Sequence, residues 1–288
     1  MRYTKDSMTG PFDLHLHTTA SDGALPPEDV VLQAAALGLC AIAITDHDTT
    51  AAVARAQAAG RKAGLPVIAG AEFTAAFAGE LHILGYGMNL GSTAYQHFQG
   101  EQQRRREQRN ALMLQKLEEM GLRLPPEYLP EHTPGVYGRV HVARGLVACG
   151  AVATMQEAFD RYLRYGGPAY APRQKFSSQE LIEHIRQSGG CAVLAHPGRM
   201  KLPVETMRAL IDRLCREGLA GIETWYPTHT DEEVVAFVQM AADCGLVCTY
   251  GSDSHGRPGD AIALGIERFS ITQATYGWLE TLAGRCTT

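Results

Sequence analysis

The chain has 288 residues, 45% hydrophobic and 20% charged, enough to bury a large α/β core beneath a charged surface. Its net charge of −5 argues against broad, sequence-independent nucleic-acid binding, and it contains no apolar run of about eighteen residues that could span a membrane. Residues 1–10 carry charges and no apolar stretch, so no secretory leader is expected and a cytoplasmic location is anticipated.

Residues 12–16 read as a first strand, and Pro26 and Pro27 open a helix over about 28–37. A second strand at 40–44 precedes an alanine-rich helix at 49–63, followed by strands at 66–71 and 81–86. Residues 98–172 break the alternation. Within them, 101–120 read as one long polar-faced helix, followed by prolines 125, 126, 130 and 134 and helical patterns near 139–148 and 154–164. The alternation then resumes with helix 178–188, strand 191–195, helix 204–217, strand 220–224, helix 231–243 and strand 246–250. Seven strands mostly separated by helices imply a parallel sheet, closed as a barrel or doubly wound. The expected organisation is one α/β domain, 11–97 with 173–288, interrupted by a helical insertion at 98–172 that covers the barrel mouth.

The charge is uneven. Residues 98–175 hold twelve basic and eight acidic side chains, the remainder fourteen and twenty-three. The insertion is suited to anions, and the rest is rich in groups that hold cations. The cysteines at 40, 149, 191, 215, 244, 248 and 286 are scattered and never spaced C-x-x-C, which predicts buried free thiols rather than disulfides or a zinc knuckle.

Chemistry-bearing residues gather at the strand ends. His15 and His17 end the first strand, with Asp22 in the loop beyond; Asp46, His47 and Asp48 follow the second, and Glu72 ends the third. His82 lies in the fourth strand and His196 follows the fifth, while Glu223 ends the sixth and Asp253 and His255 follow the seventh. In a parallel barrel these positions converge on one face. Side chains at i and i+2 of an extended segment share a side, so His15 and His17 can bind one ion together. Imidazole and carboxylate without thiolate suit Mn²⁺, Fe or Zn²⁺ better than a structural cysteine site. Asp13, Asp46 and Glu223 are placed to accept the free N–H of a ligating imidazole, with a plain salt bridge as the alternative.

Blander readings stand beside these. His82, inside Leu81-His-Ile-Leu, could be a satisfied core histidine, and Asp22 a turn residue in Ser-Asp-Gly. The arginines at 104, 105, 106 and 109 could be a solvated helix face paired with Glu101 and Glu107, or guanidinium forks for phosphate. Arg139, His141 and Arg144 share a helix at spacings that aim at least two of them together. His229, after the sixth strand, reads as a phosphate contact or leaving-group acid. His97, His132 and His184 read as surface residues.

Taken in order, Asp13-Leu-His-Leu-His-Thr, Ser21-Asp-Gly, Thr45-Asp-His-Asp, Gly70-Ala-Glu, Ala195-His-Pro and Gly251-Ser-Asp-Ser-His resemble the motif series of the PHP (polymerase and histidinol phosphatase) superfamily. The resemblance runs from about residue 12 to 258 and implies a distorted, TIM-like (β/α)7 barrel with a helical insertion domain and three divalent metal ions, Mn²⁺ before Fe or Zn²⁺. It implies a first ion on His15, His17, Glu72 and Asp253. Glu72 would bridge to a second ion completed by His82 and His196, and Asp22, His47 and His255 would hold a third. The segment Gly138-Arg-Val-His-Val-Ala-Arg-Gly-Leu-Val, with Glu157-Ala-Phe-Asp-Arg-Tyr-Leu, is similar to the inserted domain of the nucleotide-processing branch.

That branch implies removal of the 3′-phosphate from 3′,5′-nucleoside bisphosphates, or 5′→3′ trimming of short RNA. The expected substrate is thus a small nucleotide or short oligonucleotide, with no membrane and no obligate protein partner. Arg104, Arg105, Arg139, His141, Arg144, His229 and His255 are the candidate substrate contacts, and Asp253 or a nearby histidine would move the proton. Two rivals remain. A C–N hydrolase of the amidohydrolase type lacks its carbamylated-lysine position here, and a non-catalytic PHP module would not be expected to keep nine competent ligands.

Overall fold

The computed structural model describes residues 10–132, 137–172 and 174–257, together with 275, 277, 278, 281 and 282. Seven strands, β1 (Phe12–Leu16), β2 (Ala41–Ile44), β3 (Val67–Thr74), β4 (His82–Tyr86), β5 (Cys191–Leu194), β6 (Gly221–Trp225) and β7 (Val247–Tyr250), lie side by side in chain order. The exit of β7 returns to β1. Asp253 N–H donates to the His15 carbonyl at 2.9 Å, and His17 N–H donates to that of Ser254 at 3.0 Å. These bonds bring the sheet round into a nearly closed barrel.

One strand departs from the all-parallel expectation: β4 runs antiparallel to both β3 and β5. The link over 75–81 is too short for the crossover helix that a parallel neighbour needs, so the chain turns back as a hairpin. Thr74 therefore stands opposite His82, which puts the start of β4 at the rim where the parallel strands end.

The helices are α1 (Pro27–Ala36), α2 (Val53–Ala63), α3 (Thr93–Glu119), α4 (Arg139–Ala148), α5 (Met155–Ala158), α6 (Ser178–Gln187), α7 (Val204–Glu217) and α8 (Asp231–Cys244). Local chemistry sets several of their ends. Ser177 and Glu180 form a reciprocal capping box at α6, and Thr230 and Glu233 do so at α8. Gly64, Gly218 and Gly245 close α2, α7 and α8 in the left-handed region. The helix expected near 154–164 is α5 followed by a single wider turn at Phe159–Leu163. The long helix begins at Thr93 rather than near 101, because Tyr95 and Phe98 in its first turns pack into the apolar cluster of α6, α7 and α8.

Every strand contributes to one buried cluster that includes Phe12, Ala43, Ile68, Tyr86, Val193, Trp225 and Tyr250. The chain divides into two compact units, Met1–Phe98 with Phe176–Thr288, and Gln99–Lys175. The second has its own core around Met113, Leu117, Val142, Leu146 and Leu163. Among the described residues no helix is long and apolar enough to cross a membrane. The described cysteines are free, but none is fully buried: Cys149 is exposed and the others are half-buried, most of them at or beside element ends. Cys286 and Pro134 lie outside the described residues.

Candidate metal centre

His15 comes from β1 and His17 from the residue just past it, beside a register shift between Asp13 and Leu16. Both rings turn to the same side, their centroids 5.1 Å apart, with Nε2 atoms 3.3 and 3.4 Å from Glu72 Oε2. The same oxygen is 2.9 Å from His47 Nδ1. Glu72 Oε1 is 2.6 Å from His82 Nδ1 and 2.9 Å from His196 Nε2. One carboxylate, 1% exposed, thus meets five imidazoles. His82 reaches it because β4 is reversed, and it is not the isolated core histidine of the bland reading.

Asp253 Oδ1 lies 3.0 Å from His17 Nε2 and 3.5 Å from His15 Nε2. Asp22 Oδ1 lies 3.3 Å from His255 Nε2 and 3.9 Å from both His17 Nδ1 and His47 Nε2. Three donor groups result: His15, His17, Glu72 and Asp253; His47, Glu72 and His82; and His17, Asp22, His47 and His255. The groups therefore share His17 and His47 as well as Glu72, which the expected one-ion assignments did not include. His196 adjoins the second group through Glu72 Oε1. Backbone strain accompanies this convergence: Asp48, His196 and Asp253 have φ of 53°, 27° and 57°, a region side-chain-bearing residues rarely adopt.

The donor set fits divalent cations. His15 Nε2, both ring nitrogens of His17 and Glu72 Oε2 are buried without a hydrogen-bond partner. Each such atom costs about 1–3 kcal/mol if left unsatisfied, and a cation would satisfy several at once. Burial disfavours charge on Glu72, yet the imidazoles around it, His15 foremost, hold its carboxyl well below the usual range. Burial likewise opposes protonation of His47, but contact with Glu72 raises it to about 9. Asp22 is drawn down to about 2 as His255 and His47 outweigh its burial. Asp13 Oδ2 is also without a partner, and burial pushes that carboxyl up to about 7 against its hydrogen bonds to Ser252 and His15.

Two further contacts orient the rings. Glu223 Oε1 is 3.0 Å from His15 Nδ1, while its Oε2 accepts the His196 backbone N–H at 2.7 Å. His255 Nδ1–H donates to the Asp253 carbonyl at 2.8 Å. Both rings thereby direct Nε2 toward the cluster. Gly251 makes room for this, since a Cβ there would stand 2.2 Å from Glu223 Oε1 and from His15 Cβ. Asp13 and Asp46 do not take this role. Asp13 accepts the backbone N–H of His15 and Ser252, and Asp46 accepts the Thr18 N–H and the Thr18 and Ser21 hydroxyls. Glu223→Gln should weaken Mn²⁺ binding by about 10–100-fold. Metal titration checks this, with thermal melting of the metal-free protein as the folding control; wild-type affinity in the folded variant would show that His15 needs no such support.

His229 presents no free nitrogen. Its Nδ1–H donates to the Thr224 carbonyl at 2.9 Å and its Nε2 accepts Gly198 N–H at 3.1 Å, so in this arrangement it ties two loops together and has no proton for a leaving group. Asp253, despite its burial, is held well below the usual carboxylate range by His17 and His15, which suits a ligand rather than a proton carrier. Sequence reasoning missed Arg199 and Tyr226, both in contact with Asp253. The available signal was their position, in the same post-strand loops that carry His196 and follow Glu223.

Within Gln99–Lys175, Arg104 and Arg105 both pair with Glu101, as the bland reading held, while Glu107 accepts from Gln103. The Arg139 guanidinium lies 5.9 Å from the Phe159 ring centroid. His141 Nδ1 accepts the Gly138 N–H at 3.2 Å and its ring stacks on Tyr137, leaving only Nε2 for other contacts. Arg144 is exposed. His184, expected at the surface, is half-buried and stacks on Phe98 at 4.7 Å.

The family model described as PHP domain matches residues 13–171. The 5′-3′ exoribonuclease Rnm of Salmonella typhimurium is 35% identical over 250 residues, 85% of each chain. A 3′,5′-nucleoside bisphosphate phosphatase of Chromobacterium violaceum is 34% identical over 255 residues, 86% of this chain and 88% of that one. A Chromobacterium violaceum protein named an amidohydrolase, solved with sulfate and no metal, matches with a TM-score of 0.75 at 31% identity, covering 96% of this chain and 97% of its own.

Proposed function

This chain belongs to the PHP domain family, and on that premise we propose that it is a metal-dependent phosphomonoesterase that removes the 3′-phosphate of 3′,5′-nucleoside bisphosphates. The observation that carries the reading is Glu72, a buried carboxylate with one oxygen toward His82 and His196 and the other toward His15, His17 and His47. A carboxylate so placed could serve more than one cation. His15, His17 and Asp253 would help hold one ion, His82 and His196 a second, and Asp22, His47 and His255 a third.

Bound ions polarise the phosphoryl oxygens and lower the pKa of the attacking water. The chain's own task is to keep these donors aimed. Glu223 and the Asp253 carbonyl do this for His15 and His255, and the ionised Asp253 stays a ligand. Water and phosphomonoester then yield the free hydroxyl and inorganic phosphate. The surplus of basic residues over 98–175 supports a doubly anionic substrate, as does likeness to the Chromobacterium violaceum phosphatase.

Likeness to the Salmonella typhimurium enzyme supports a second reading, 5′→3′ trimming of short RNA. None of the seven strands among the described residues carries a lysine, which leaves the amidohydrolase reading without its carbamate ligand. Phosphate release with Mn²⁺ should be fastest from adenosine 3′,5′-bisphosphate among a panel with AMP, histidinol phosphate and a 5′-phosphorylated dinucleotide. Cleavage of the dinucleotide with the bisphosphate untouched would transfer the assignment to the exoribonuclease. Elemental analysis of reconstituted protein should find three divalent ions per chain; one or none would end the trinuclear reading.

A further inference from the structure

Asp253 turns its two oxygens to different neighbours. Oδ1 faces His17 and His15 at 3.0 and 3.5 Å, the side on which the first ion is proposed. Oδ2 accepts the Tyr226 hydroxyl at 2.9 Å and Arg199 Nη1 at 3.0 Å, and the two donors are themselves 3.4 Å apart. Tyr226 follows β6, Arg199 follows β5 and Asp253 follows β7, so the exits of three strands meet on one oxygen.

The loop bearing Arg199 is itself anchored. Gly198 N–H donates to His229 Nε2, and His229 Nδ1–H donates to the Thr224 carbonyl at the end of β6. The anchor is close: a Cβ on Gly198 would lie 2.5 Å from His229 Cδ2. Arg199 has one other carboxylate nearby, the exposed Glu80 at 3.7 Å, a looser contact than the one to Asp253.

A carboxylate can coordinate a cation through one oxygen or chelate it through both. With Oδ2 engaged by a phenol and a guanidinium, only Oδ1 remains for the cation, and its direction is fixed. We propose that Arg199 and Tyr226 are positioning residues that hold Asp253 as a one-oxygen ligand of the ion between His15 and His17, with His229 securing the loop that carries Arg199. The assignment rests on the proposed metal-ligand role of Asp253.

The test compares Tyr226→Phe, Arg199→Gln and Arg199→Lys with wild type. Mn²⁺ affinity is measured by calorimetric titration of the metal-free proteins, and kcat and KM for adenosine 3′,5′-bisphosphate at saturating Mn²⁺. Tyr226→Phe and Arg199→Gln should each weaken the affected Mn²⁺ site by about 10–100-fold, with Arg199→Lys recovering part of the loss. KM at saturating Mn²⁺ should change by no more than about twofold. Wild-type Mn²⁺ affinity in the folded variants overturns the proposal, and so does a raised KM with Mn²⁺ affinity intact, which makes Arg199 a substrate contact. Tyr226→Phe removes one oxygen and keeps the ring, so it decides the matter if the Arg199 variants do not fold. Wild-type protein that binds no Mn²⁺ fails the metal reading itself, a result distinct from equal binding by wild type and variants.

Discussion

Glu72→Ala should lose metal from at least two of the three proposed sites and lower kcat by roughly 10²–10⁴-fold. That range follows from the several kcal/mol of transition-state stabilisation that such ions supply, at about 1.36 kcal/mol per tenfold. The reason for so large an effect lies in the contacts: among the described residues no other donor approaches five imidazoles, and both of its oxygens are committed. The substitution also removes a buried anion that compensates His15, His47 and their neighbours. Truncating one partner of a buried charged cluster costs about 3–5 kcal/mol of stability. Thermal melting must therefore accompany the kinetics, with Glu72→Gln as the control that keeps the volume and loses the charge. Near-normal turnover and metal content in Glu72→Ala would remove the bridging role.

The second large effect is expected at Arg144. If a bisphosphate is the substrate, the phosphate that does not react still requires cationic partners, and the arginines of Gln99–Lys175 differ in how free they are to serve. Arg104 and Arg105 are already paired with Glu101, and Arg139 lies against Phe159. Arg144 is exposed, and its charge adds to burial in lowering the pKa of His141. A charge-assisted hydrogen bond is worth about 1.5–3 kcal/mol, roughly ten- to a hundredfold. Arg144→Ala should reduce kcat/KM for the bisphosphate by that factor while a singly phosphorylated nucleotide loses far less. Arg104→Ala and Arg105→Ala should change the ratio little, since each guanidinium already has its carboxylate. An unchanged ratio for every one of these arginines would defeat the role of the insertion and leave the metal chemistry untouched.

The strand-end donors were legible because their identity is local. Histidines two apart on a strand, or a carboxylate closing an apolar run, can be read from a dozen residues. The short apolar runs of the strands and the helical patterns of α6 and α7 are equally local, and apart from β3, which continues to Thr74, their observed bounds lie within a residue or so of those expected. The departures arise where one segment chooses its partner among several. Whether Asp13 and Asp46 accept from a ring or from other donors depends on what the folded chain brings to them: backbone N–H groups for Asp13, and one backbone N–H with two hydroxyls for Asp46. His184 looked like a surface residue because nothing nearby in sequence announces that Phe98 and Phe176 will pack against it.

The sequence by itself determined which atoms were available: imidazoles and carboxylates without thiolates at the ends of seven strands, in an order that matched one family. Tertiary structure alone decided how those atoms are shared. The reversal of β4 brings His82 to the rim, Glu72 gathers five rings instead of four, and His17 and His47 each reach two donor groups. It also turned His229 from a candidate acid into a tie between loops and placed Arg199 and Tyr226 on Asp253. The physical reason is one of range. Donor chemistry and strand period are properties of a short segment, whereas a hydrogen bond between residues 199 and 253 exists only once the strands that carry them have closed into a barrel.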